Sequence, residues 1–126
     1  QLQPQAGDVM SLAGSNSFFI ASQIDEEIQR RLTEGDIQIT APLWGKGTLP
    51  TTDEVMRLES GISTTYSNIC KTLERLDLKQ ERRKIVLFPE NLSWQFSEPN
   101  LTLSFSLPAG CFATSVIREL LSLSDE

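Results

Sequence analysis

The chain has 126 residues, 39% of them hydrophobic, enough for one modest domain or for pieces of two. Its formal charge is −6, which is not the balance of a free-standing nucleic-acid binder, so any RNA contact must use a local patch. There is no histidine and there are two cysteines, Cys70 and Cys111; this excludes Ser-His and Cys-His catalysis within the chain and makes a zinc site or a disulfide framework a poor fit.

Gln1-Leu2-Gln3-Pro4 carries neither an initiator methionine nor a signal-peptide pattern. It reads as the start of a fragment, from a cytoplasmic protein with reduced thiols. Residues 8–13 read as a strand, 14–17 as turn chemistry and 18–21 as a second strand, giving a hairpin. Ser22 or Asp25 is placed to cap a short helix that Gly35 ends, with Ile24, Ile28 and Leu32 on one face. Ile37 and Ile39 flank Gln38 and predict a brief strand. Residues 41–50 hold two prolines and two glycines around Trp44 and read as a loop.

The clearest helix is expected next. Thr51 and Glu54 fit a capping box. Val55, Leu58, Ile62, Tyr66, Ile69, Leu73 and Leu76 then form one stripe, spaced 3, 4, 4, 3, 4, 3. That predicts a continuous helix with its apolar face on the core, which Gly61 weakens. Ile85-Val86-Leu87-Phe88 reads as a short strand ended by Pro89. Leu92, Trp94 and Phe96 alternate with polar residues, as do Leu101, Leu103, Phe105 and Leu107, on either side of Pro99-Asn100. This is an antiparallel hairpin pattern with one face buried. A last helix is expected from about Phe112 to Leu121. No apolar run approaches the roughly 20 residues of a membrane span.

Chemistry concentrates where the last strand turns into the last helix, at Leu107-Pro108-Ala109-Gly110-Cys111-Phe112. Such a bend presents main-chain N–H groups at a helix N-terminus. Gly110 allows positive φ or close approach of a ligand. Phe112 is either a staple against the core or an aromatic face for stacking a base. Cys111 has no companion base and reads as a small packing residue. Lys79, Arg82, Arg83 and Lys84 form the main basic cluster. They are either a solvated helix end or a phosphate patch, and Lys46 in the Trp44 loop is a further candidate.

Several stretches resemble the TruD family of tRNA pseudouridine synthases. These are Gly7-Asp8-Val9-Met10-Ser11-Leu12-Ala13-Gly14-Ser15 with Phe18-Phe19, the helix ending near Gly35, Ile39 to Gly45, Leu92-Ser93-Trp94, and above all Leu107 to Leu120. The resemblance implies isomerisation of uridine to pseudouridine at position 13 of tRNA, with no metal or cofactor. It implies an α+β architecture in which residues 1–83 are the later part of the TruD-specific insertion domain, mainly helical with short strands. Residues 84–126 would be an antiparallel hairpin and terminal helix of the catalytic domain. The family's catalytic aspartate lies in a Gly-x-Lys-Asp motif absent from this chain, so no catalytic residue is assigned here. A missing N-terminal part of the same protein would supply it, and the chain alone would be inactive. The position of Phe112 is that of a family residue in the active-site cleft, with Gly110, Cys111, Ala113, Thr114 and Ser115 as the cleft wall. Lys46, Lys79, Arg82, Arg83 and Lys84 would meet tRNA phosphates. Self-association through exposed strand edges is expected for such a piece. The alternative is a non-catalytic RNA-binding or protein-interaction module.

Overall fold

The structure is a computed structural model and describes residues 2–121. The chain parts into two compact units between Val86 and Leu87. The first holds strands β1 (Val9–Leu12) and β2 (Phe18–Ile20), helix α1 (Glu26–Glu34), strand β3 (Ile37–Leu43), helices α2 (Asp53–Thr65) and α3 (Ser67–Arg75), and strand β4 (Glu81–Lys84). The second holds β5 (Glu90–Ser97), β6 (Asn100–Ser106) and α4 (Ala113–Leu120). The fold class is α+β. No helix among the described residues is long and apolar enough to cross a membrane.

In the first unit the strands form one antiparallel sheet in the order β2-β1-β3-β4. β1 is paired on both sides, so its side chains define the core. Met10 and Ile37 are fully buried, joined by Ala21 and Ile28, with Leu12, Phe19, Ile24, Leu32 and Ile39 packed around them. Helix α1 follows the expected rules. The Asp25 carboxylate accepts the Ile28 N–H at 2.9 Å, and Gly35 closes the helix at φ 77° in the left-handed region. Arg31 bonds Asp36 at 2.6 Å and lies 5.6 Å from the Phe19 ring centre. Helices α1, α2 and α3 hold more residues of the first unit than its short strands do, while its core is built by the sheet and α1.

Three expectations need correction. The predicted helix over the apolar stripe is two helices, parted at Tyr66, where φ is −106° and ψ 34°. Ser63, Thr64 and Thr65 donate their hydroxyls back to the carbonyls of Ser60, Ser60 and Gly61, a pattern that bends helices, and Gly61 sits beside it. The capping box is absent: Thr52 is the N-cap, its hydroxyl donates to the Asp53 carboxylate and no side chain caps a helix N–H there, and Thr51 donates to Glu59 instead. The stripe does not face the core. Val55 is buried, but Leu58, Ile62, Tyr66, Ile69 and Leu76 are exposed.

The loop expected over 41–50 begins inside a strand. β3 pairs with β1 only through Ile37–Ile39 and with β4 only through Thr40–Leu43. Pro42 therefore has a partner strand on one side alone, where a missing N–H is tolerated. The next strand falls on Glu81–Lys84 rather than on residues 85–88. Its charged residues suit an edge strand, and the ladder ends at Ile85, whose N–H donates to Ile39 at 3.2 Å.

In the second unit the hairpin is as read, with Trp94 opposite Leu103 and Phe96 opposite Leu101, and an irregularity between Glu90 and Ser93. Neither face of β5 is buried; Leu92, Trp94 and Phe96 are all exposed. In α4 only Val116 is buried.

Candidate functional site

The corner after β6 is built by local geometry. Gly110 takes φ 86°, a conformation that costs a residue with a side chain roughly 1–2 kcal/mol. Cys111 donates its N–H to Pro108 at 3.3 Å, closing the bend. Phe112 then occupies the N-cap with extended backbone and makes no side-chain cap bond, while Ser115 donates its N–H to the Phe112 carbonyl at 3.1 Å. The Phe112 ring is 69% exposed, so the core-staple alternative does not hold among the described residues. Cys111, Ala113, Thr114 and Ser115 are exposed beside it. The first amides of a helix lack intrahelical acceptors and carry its positive dipole end. The corner therefore offers an aromatic face next to main-chain donors, equipment for holding a planar polar ring.

The basic cluster is not one patch. Alternation along β4 sets Arg82 and Lys84 on one face and Arg83 on the other. The Arg82 side chain is 6% exposed, and its guanidinium is spent inside the first unit. It donates through Nη1 and Nη2 to the two Glu59 carboxylate oxygens, each at 2.9 Å. It also donates to the Thr40 hydroxyl at 3.0 Å and the Thr40 carbonyl at 2.8 Å. Arg82 therefore leaves the set of phosphate candidates. Arg83, Lys84 and Lys79 are exposed. Lys46 lies beside Lys79 across a short bridge and pairs with Asp77 at 2.5 Å, both ends in solvent.

The Arg82 cluster was missed from sequence, although a signal for it exists. Glu59 lies four residues after the buried Val55, so helical spacing places a carboxylate on the buried face and demands a partner. The structure supplies Arg82, and also Thr51, whose hydroxyl donates to Glu59 at 2.9 Å. The Thr40 hydroxyl continues the chain to the Val9 carbonyl at 2.7 Å. Asp8 lies near this cluster, buried, and accepts the Gln5 N–H at 2.7 Å. Burial pushes the Asp8 carboxyl above its usual range; the Gln5 bond pulls the other way, and the Glu59 charge adds to the rise against the counter-pull of Arg82.

Comparison with known proteins bears out the family resemblance. The family model for tRNA pseudouridine synthase D (TruD) matches residues 2–120. A tRNA pseudouridine synthase D from Pseudoalteromonas atlantica is 51% identical over 121 residues, covering 96% of this chain and 35% of that protein. The Shewanella oneidensis protein of the same name is 43% identical over 123 residues, covering 98% and 33%. That of Aeromonas salmonicida is 43% identical over 120 residues, covering 95% and 34%. The chain belongs to the TruD family. It spans about a third of the length of these relatives.

Proposed function

We infer that the chain is the C-terminal part of a cytoplasmic tRNA pseudouridine synthase acting on uridine 13, inactive by itself. The match to the TruD model over residues 2–120 carries this reading. In the reaction the bond from uracil N1 to the ribose breaks, the uracil turns, and its C5 bonds to the same ribose carbon; C5 gives up its proton and N1 gains one, with no net oxidation or reduction. An aspartate in the remainder of the polypeptide starts the exchange. This chain's part is to hold the base. A uridine taken out of its stack loses aromatic contact, and the exposed Phe112 ring replaces it. Gly110, Cys111, Ala113, Thr114 and Ser115 form the wall beside that ring, and the open amides of the α4 N-terminus suit the uracil carbonyls. Lys46, Lys79, Arg83 and Lys84 contact tRNA phosphates; Arg82 does not, because Glu59 holds it.

The test is a pseudouridylation assay on unmodified tRNA. This chain alone should give no product. Mixed with the remaining part of the Pseudoalteromonas atlantica relative, made as a separate polypeptide, it should give pseudouridine at position 13. Product from the chain alone, or product at another position, would overturn the reading.

A further inference from the structure

The apolar stripe on α2 and α3 is the strongest unexplained feature of the first unit. Its spacing is that of a buried helix face, yet Ile62 is 53% and Tyr66 57% exposed. The first part of the stripe lines a groove of about 600 Å³, where Leu58, Ile62 and Tyr66 meet Ile39, Pro42 and Trp44 in one lining. An apolar surface this continuous marks an interface rather than a solvated face. Inside it lie two carboxylates, Asp8 and Glu59, and the Glu59 charge is already matched by Arg82.

Three occupants compete. RNA is disfavoured, because carboxylates inside an apolar groove repel phosphate. A second copy in two-fold contact is disfavoured, because a concave groove is not complementary to itself and the chain carries −6. The third is protein. The relatives extend far beyond the matched stretch, which is 35% of the Pseudoalteromonas atlantica protein. Most of a family-length polypeptide is therefore available to lie on this face, covalently tethered and at high effective concentration.

We propose that the groove between the α2–α3 stripe and β3 is half of an internal interface, filled by an apolar segment of the family-length polypeptide outside this stretch that carries a lysine or arginine toward Asp8. The apolar side chains bury Ile62 and Tyr66, and the cation matches the buried Asp8 carboxylate, which accepts a main-chain N–H from Gln5. The inference concerns assembly of the polypeptide and holds independently of the base-binding role of Phe112.

A photo-crosslinking residue in place of Ile62 tests it. The substituted chain is mixed with the remaining part of the Pseudoalteromonas atlantica relative, irradiated, and the joined peptides mapped by mass spectrometry. In parallel, the same probe is placed at the aligned position of that intact relative. The expected result is a crosslink to one apolar, Lys- or Arg-bearing segment in both settings. With the probe moved to Leu58, the double change Ile62→Asp and Tyr66→Asp should cut the yield at least tenfold, while circular dichroism of the chain alone stays unchanged. Emission from Trp44, isolated by Trp94→Phe, should shift to the blue on mixing. Crosslinks to a second copy of this chain, an unselective spread of crosslinks in the intact relative, or a yield unaffected by the double change would overturn the proposal.

Discussion

Replacing Arg82 with methionine separates a structural arginine from a surface one. The guanidinium makes four hydrogen bonds, two to Glu59 and two to Thr40, at 2.8–3.0 Å. Both ends of the ion pair are nearly out of water, 6% and 8% exposed. Arg82→Met strands the Glu59 carboxylate beside Asp8, and breaking a buried pair from one side costs about 3–5 kcal/mol. In a unit this size each kcal/mol moves the melting temperature by about 4–8 °C, so a fall of more than about 12 °C is expected. Urea and thermal unfolding followed by circular dichroism measure it. Adding Glu59→Leu removes the stranded charge and should bring the chain back to within about 2 kcal/mol of the parent. A loss below about 1 kcal/mol for Arg82→Met, the range of an exposed pair, would refute the reasoning.

Four other outcomes follow from the same geometry. Asp8 has a raised carboxyl, so the folded state binds its proton more tightly than the unfolded state; its charge therefore detracts from stability as pH rises above the ordinary value of 3.8, and the detriment is complete above the raised folded value. Melting curves from pH 3 to 7 should show Asp8→Asn gaining on the parent across that rise and not below it; a constant difference would contradict this. A Cβ on Gly45 would lie 2.4 Å from the Lys79 carbonyl carbon and 2.5 Å from the Leu78 oxygen, so Gly45→Ala should cost about 1–3 kcal/mol in urea unfolding. Lys46→Ala, whose pair with Asp77 is in solvent, should cost less than about 1 kcal/mol; in the assembled synthase it should lower the slope of log binding against log salt by about 0.7–0.9, read by filter binding at several salt concentrations. Finally, Leu92, Trp94 and Phe96 lie exposed on a two-stranded hairpin, so the isolated chain should self-associate with concentration in sedimentation, and Trp94→Ser with Phe96→Ser should suppress it.

What could be read from the sequence was local. The Asp25 cap, the Gly35 stop, the first hairpin and the Pro99-Asn100 hairpin each depend on a few neighbouring residues. The misreadings came where distant partners decide. β4 is charged and has no strand signal of its own; it pairs because β3 runs past β1 and offers a free edge at Thr40–Leu43. The α2–α3 stripe has the period of a core helix, but period states that a face is apolar and not what covers it. Arg82 looked like its neighbours Arg83 and Lys84, and only the placement of Glu59 and Thr40 sets it apart. At the corner, the helix N-terminus and the Gly110 turn were legible, whereas the choice between buried and exposed for Phe112 needed three dimensions.

The central claim is that this chain contributes the base-holding part of a synthase whose aspartate lies elsewhere. The most direct test is pseudouridine formation by this chain combined with the remaining part of the Pseudoalteromonas atlantica relative, comparing the parent with Phe112→Ala. Phe112 is exposed, so its loss should leave the melting temperature of the chain unchanged. Base stacking on an aromatic side chain is worth about 1–3 kcal/mol, so the rate on tRNA should fall by about 5- to 150-fold, and Phe112→Tyr should restore most of it. Equal rates for the parent and Phe112→Ala, with both complexes fully assembled, would contradict the account.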